Sequence, residues 1–136
     1  MRWLVLGTFL FYSLNVTGFR IKDFILVESC LKNEPIDMVF WVPYLASVVI
    51  FWFWPGTGQW FLLGFMSLGT LVLFMSTVKH MISTSEKKIQ GYNEFFSKTH
   101  HIIKPSDTKL IPDTFHLMLL FLVPANLIAI VVYILH

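Results

Sequence analysis

Long runs without a charged side chain dominate this sequence. Residues 38–54, 59–78 and 115–135 contain no Asp, Glu, Lys or Arg, and a helix needs roughly 17–25 mostly apolar residues to cross a bilayer. Only 13% of the residues are charged and the mean hydropathy is +0.69, whereas soluble domains carry roughly 25% charged residues. The sequence therefore predicts a small integral membrane protein and argues against a soluble domain, a disordered tail and a coiled coil.

The N-terminal segment 3–19 has two interpretations. It is apolar at first and then weakens through Ser13, Asn15 and Thr17. It is either a short transmembrane helix or a secretory signal, with Arg2 before the apolar region and small residues near position 18 for cleavage.

The distribution of basic residues distinguishes these two interpretations. Nine of the ten Lys and Arg lie in two connectors, three in 20–37 and six in 79–114. Four spans place both connectors on one side of the membrane, which the positive-inside rule makes cytoplasmic. A cleaved signal followed by three spans would place all nine outside. We therefore predict one all-α domain over 1–136 with transmembrane helices at 3–19, 38–54, 59–78 and 115–135, keeping the cleaved signal peptide plus three spans as the alternative.

This topology places both termini outside, and in a bacterium the protein would be a multi-pass protein of the inner membrane. Residues 55–58, with the sequence Pro-Gly-Thr-Gly, predict a tight turn between the second and third spans. Beyond residue 78, apolar residues recur at helical spacing up to about residue 96, which indicates an amphipathic helix in the second connector.

A group of histidines and aspartates near the last span is the candidate metal site. Its members are His100, His101, Asp113 and His116, with Asp107 and His80 also near in sequence. Imidazole and carboxylate groups can hold zinc or iron, but no HExxH pattern is present and neighbouring histidines cannot both face one site on a regular element. We therefore predict neither metal nor cofactor: these side chains are polar loop residues at the headgroup level, and Asp113 or Thr114 caps the last span.

Two further features predict contacts between helices. Asn126 lies in the middle of the last span, where a buried amide needs a polar partner. Gly64, Ser67 and Thr70 make the third span rich in small residues, which allow close approach of helix backbones. The partner of these residues is either another helix of this chain or another protein, and the sequence leaves both open.

For function, the sequence favours a non-catalytic membrane protein. The net charge of +2 is too small to indicate a nucleic-acid partner, the single cysteine excludes an intramolecular disulfide, and no nucleophile or phosphate-loop motif is present. We expect a protein that sits in the bilayer and associates with another membrane protein or with itself, as an accessory or assembly subunit or an immunity or exclusion protein. The alternatives are a small oligomeric transporter or channel, with Asn126 in its lining, and a membrane enzyme acting on a lipid or a quinone.

Overall fold

A computed structural model describes residues 1–33, 37–82 and 85–136. The chain is mostly helical, at 74% of its residues. In chain order the elements are α1 (Arg2–Thr17), β1 (Phe19–Ile21), β2 (Phe24–Val27), α2 (Cys30–Asn33), α3 (Asp37–Phe53), α4 (Pro55–Leu73), a π-helical turn (Phe74–Val78), α5 (Lys79–Ile82), α6 (Glu86–Phe95) and α7 (Thr114–Leu135).

The four long helices form a closed ring in which each touches two others. Helix α1 packs against α3 and α7, and α4 packs against the same two helices. Every long helix contributes to the shared apolar core, whose buried members include Val5, Phe51, Leu62, Met66 and Ile130. The first predicted span is therefore packed into the ring with the other three.

Among the described residues, two helices are long and apolar enough, by length and composition, to cross a membrane. They are Pro55–Ile82, which runs through α4, the π-helical turn and α5, and Thr114–Leu135. Helix α3 is apolar but shorter. Large apolar side chains such as Trp60, Phe121 and Ile128 are more than half exposed on the outside of the ring, as expected for a surface that faces lipid.

The predicted turn at 55–58 is wrong. Helix α4 already begins at Pro55, and the chain reverses at Trp54. Proline suits the first helical position because the N–H it lacks would have no partner there. Gly58 has another role than a turn: a Cβ atom at this position would collide with the backbone of Phe51. The glycine lets α3 and α4 approach closely, so this span begins before the predicted residue 59.

The mostly helical class is confirmed, and the first connector adds a two-stranded antiparallel sheet that the sequence did not predict. Strands β1 and β2 pair with Ile21 opposite Phe24, and the reversal places Lys22 at a φ of 52°. No Asn-Gly or Asp-Gly pair marks this hairpin in the sequence, so only an apolar run was visible there. In the structure Leu26 and Val27 pack against α7, with Phe115 among their contacts, and this packing fixes the strands.

In the second connector, α6 is amphipathic, in agreement with the pattern seen in the sequence. Ile89 is buried, whereas Glu86, Lys87 and Lys88 are exposed. The ring of Phe96, just beyond the helix, packs edge-on against the ring of His116 at 5.2 Å between centroids. The connector therefore rests on the first turn of α7.

Candidate functional site

Asp113 is the most heavily bonded polar side chain at the connector end of the helix ring. It is fully buried and caps α7, its Oδ1 accepting a bond from the backbone N–H of His116 at 3.0 Å. The same oxygen lies 2.6 Å from His116 Nδ1. Oδ2 accepts a bond from the Thr99 hydroxyl at 3.1 Å. The backbone N–H of His116, the ring of the same histidine and the hydroxyl of Thr99 thus all bond to one carboxylate.

These bonds decide the charge of Asp113. Burial by itself would raise the pKa of its carboxyl, but the hydrogen bonds and charge of His116, helped by Thr99, outweigh burial and hold the pKa below its usual value. The ionised carboxylate can only accept hydrogen bonds, so His116 Nδ1 must carry the proton that lies between them. His116 therefore presents its Nε2 edge away from Asp113.

Tyr92 completes this corner from α6. Its hydroxyl accepts a bond from the backbone N–H of Asp113 at 3.2 Å. Burial and the nearby charge of Asp113 together raise the pKa of the Tyr92 phenol, and the bond from the Asp113 backbone offsets only part of this. The phenol stays neutral, and its role here is to position the start of α7.

Two other candidate metal ligands, His100 and His101, have hydrogen-bond partners of their own. His100 Nδ1 is 2.7 Å from the Thr114 hydroxyl, and His101 Nδ1 donates to the backbone oxygen of Thr99 at 2.9 Å. Asp107 is exposed in the loop. Within 1–33, 37–82 and 85–136, no three His, Cys, Asp or Glu side chains are grouped closely enough to hold a metal ion. The structure brings Asp113 and His116 together, whereas His100 and His101 hydrogen-bond to Thr114 and Thr99 and so stabilise the loop before α7.

Asn126 is completely buried where α7 meets α1. Its Nδ2 donates to the Thr8 hydroxyl at 2.5 Å and to the backbone oxygen of Leu122 at 2.9 Å. Its Oδ1 has no hydrogen-bond partner among the described residues. The amide therefore points into the helix ring, toward another helix of the same chain.

The small residues of the third span do not share one environment. Gly64 and Ser67 are exposed on the outer surface of α4, and a Cβ at Gly64 would meet nothing within 4 Å. Thr70 is half-buried and donates its hydroxyl proton to the backbone oxygen of Met66 at 2.7 Å. Two of the three residues thus face away from the chain's own helices.

A cavity of about 200 Å³ lies inside the ring near the connector end. Asn15, Asp37 and His116 line it and also line a smaller neighbouring cavity of about 60 Å³. Asn15 Nδ2 donates to Asp37 Oδ2 at 2.7 Å, joining the end of α1 to the start of α3. Deeper in, the wall is mostly apolar and aromatic, with Tyr44 and Phe65 stacked at 4.8 Å between ring centroids.

The comparisons with known proteins add no relative to this geometry. The chain matches no protein-family model, no curated protein and no solved structure. What the arrangement can do must therefore be argued from its own side chains.

Sequence reasoning missed most of the cavity. Asp37 was not singled out, and Asn15 was noted only as a polar residue that weakens the first apolar run. The signal that could have found them is positional: both are polar residues at the connector end of predicted spans, so antiparallel helices bring them to the same end of the helix ring. Tyr44 gave no such signal, because a tyrosine in an apolar run is indistinguishable from a core residue.

Proposed function

We propose that the chain is an integral membrane protein with four spans, and that it acts without chemistry of its own by associating with another membrane protein or with a second copy. The spans would be α1, α3, the helix Pro55–Ile82 as far as residue 78, and α7. Support for the topology comes from the nine basic residues in the two connectors and from the packing of α1 into the shared core. Both connectors would face the cytoplasm and both termini the outside; in a bacterium this membrane would be the inner one.

The observation that carries the association is the outer face of α4. Gly64 and Ser67 lie one turn apart and exposed, and they are flanked on the same face by large exposed side chains. These are Trp60, Phe61, Leu68 and Leu71, each more than half exposed. The result is a shallow hollow between bulky residues.

This hollow suits a second helix better than it suits lipid. Small residues let two helix backbones approach closely. In a bilayer the lipid tails are as apolar as the side chains they would replace, so the hydrophobic effect does not drive helices together. Close packing between the helices drives their association instead. An accessory or assembly subunit, or an immunity or exclusion protein that holds an incoming protein in the membrane, would use this kind of face.

The test is native mass spectrometry of the C-terminally tagged protein, gently purified from the membranes of its own host. We expect a stoichiometric companion, or a second copy, that Gly64→Leu removes by filling the hollow. Gly7→Leu is the matched control, because Gly7 is also an exposed helical glycine with open space around its Cβ position. A wild-type protein found only as a single chain, or a companion lost equally from both variants, would refute the proposal.

A further inference from the structure

Three polar side chains line both cavities at the connector end of the ring: Asn15, Asp37 and His116. They come from three different helices, α1, α3 and α7. The smaller cavity measures only about 60 Å³, so its size keeps the three side chains close to one another. One small group bound in the region that the cavities share would be within reach of all three.

What these side chains still offer is mainly the capacity to accept hydrogen bonds. Asp37 accepts one bond, from Asn15 Nδ2 at 2.7 Å, whereas a carboxylate has about four acceptor positions. Because Asn15 donates through Nδ2, its Oδ1 remains an acceptor. The Nδ1 proton of His116 lies between the ring and Asp113, which leaves a lone pair on Nε2. A ligand held here must therefore donate hydrogen bonds.

The charge of the lining favours a cation. Of the Asp, Glu, Lys and Arg residues in the described part of the chain, only Asp37 lines the larger cavity, and no Lys or Arg lines either one. Asp37 forms no ion pair with another described residue. Charged side chains inside membrane proteins usually pair with an opposite charge or mark the place of an ion or substrate. A positively charged donor would supply the opposite charge for Asp37.

Aromatic residues continue the lining of the larger cavity. The Tyr12 and Tyr44 rings lie 5.9 Å apart between centroids, and Tyr44 stacks on Phe65 at 4.8 Å. Phe40 and Phe115 also line the space; we call these five residues the aromatic wall. Aromatic rings attract cations and bury apolar groups. The cavity measures about 200 Å³, more than the roughly 150 Å³ that binds benzene, so it has room for a ligand with one ring.

We propose that this site binds one primary organic amine in its protonated form, with the ammonium group among Asn15, Asp37 and His116 and the apolar body along the aromatic wall. An ammonium ion has three N–H donors and no acceptor, which matches three side chains that each keep an acceptor. The site is separate from the outer face of α4, so it stands whether or not the chain has a protein partner.

The test is isothermal titration calorimetry of the full-length protein in neutral detergent at pH 7 with 2-phenylethylamine. We expect one molecule per chain. 3-Phenylpropanoic acid has a similar ring and linker but is an anion at this pH, and it should bind at least about tenfold more weakly because Asp37 repels it. Equal affinity for the two compounds, or binding of the amine without saturation, would overturn the proposal, since the apolar body alone would then explain the binding.

Two further compounds define the head group. Trimethyl(2-phenylethyl)ammonium keeps the ring and the charge but has no N–H, and it should bind about fivefold more weakly than the primary amine. O-Phosphoethanolamine, the head group of an ethanolamine lipid, should not compete, because its phosphate would lie against Asp37. Equal affinity of the trimethyl compound would refute the hydrogen-bond acceptors, and competition by O-phosphoethanolamine would show a site for a lipid head group instead.

A variant of the carboxylate locates the site. Asp37→Asn removes the charge but keeps the size of the side chain, and it should weaken 2-phenylethylamine binding by at least about tenfold, the effect of a hydrogen bond to a charged group. Asp107→Asn is the matched control, because Asp107 is exposed and lines neither cavity, and it should bind like the wild type. Unchanged affinity in Asp37→Asn would refute the assigned site.

Gly69→Leu tests the aromatic end of the cavity without touching the acceptors. Gly69 lines the larger cavity and a Cβ there makes only ordinary contact, 3.5 Å from Val123 Cγ1, so a leucine side chain should fill the space and abolish binding. Full binding in a folded Gly69→Leu would place the amine elsewhere. The comparison of compounds on the wild type remains decisive if either variant fails to fold.

Discussion

Asn126 in the last helix donates a 2.5 Å hydrogen bond to Thr8 in the first, across 118 positions of the chain. Both residues are buried, at 0% and 2% exposure. In hydrocarbon an amide without a partner is costly, so this bond favours one rotation of α7 relative to α1. It joins the two ends of the chain inside the ring.

A double-mutant cycle should detect this bond. Thr8→Val and Asn126→Leu each remove one partner, and we expect a coupling free energy of about 0.6 kcal/mol, with an upper bound of roughly 1.7 kcal/mol, as found for hydrogen bonds between membrane helices. Unfolding in mixed micelles measures the stability of the wild type, both single variants and the double variant. Ser13→Ala is the control on the same helix, since the Ser13 hydroxyl contacts Trp41 instead; coupling of Asn126 to Ser13 as strong as to Thr8 would contradict the assignment.

The approach of α3 to α4 should depend on a glycine. Gly58→Ala places a methyl group against the Phe51 backbone, and we expect a loss of about 1–3 kcal/mol of unfolding free energy, the usual effect of overpacking. Gly56→Ala, two residues away, meets nothing within 4 Å and should be neutral or slightly stabilising, because alanine is the better helix former. The same unfolding assay compares them, and equal stability of the two variants would show that the helices do not meet at Gly58.

The buried carboxylate of Asp113 should make stability depend on acid pH. Its pKa is lower in the folded chain than its usual value, so the unfolded chain binds more protons at acid pH. The contribution is therefore complete above the ordinary aspartate pKa of about 4 and is lost as pH falls through the lower, folded value.

Unfolding free energies measured from pH 7 down to pH 2 check this. Asp113→Asn should lie below the wild type at pH 7 and approach it at the acid end, while Asp107→Asn, which changes an exposed carboxylate, should follow the wild type throughout. Parallel curves for the wild type and Asp113→Asn would mean that Asp113 does not carry the acid dependence.

The proposed topology predicts which positions are reachable from outside. In a Cys30→Ala background, Asp107→Cys should resist a membrane-impermeant maleimide in intact cells, whereas His136→Cys should react. Both positions are exposed, so a difference reports the side of the membrane and not burial. If only Asp107→Cys is labelled, the topology is the inverse of the proposed one. A mass of the mature protein that is lower than the full sequence by about 18 residues would then identify α1 as a cleaved signal.

The mostly helical class, two long apolar helices among the described residues and the capping of α7 followed from the sequence. Hydropathy, charge and helix capping are properties of contiguous residues, so a local window is enough to recognise them. The errors arose where a contact with another helix or strand decides. Residues 55–58 have turn composition, yet they are helical because Pro55 starts a helix and Gly58 accommodates Phe51. The strands at 19–27 depend on their packing against α7.

The candidate sites divide in the same way. The sequence alone predicted Asn126 as a buried polar group, which the structure confirms, and it predicted Gly64 and Ser67 as a packing surface, because residue type and spacing are visible in one helix. Only the tertiary structure turned Asn126 inward to Thr8 and Gly64 outward, and only it brought Asn15, Asp37 and Tyr44 around one cavity. The direction in which a helix face points is set by side-chain packing between segments far apart in the chain, and no local pattern carries that information.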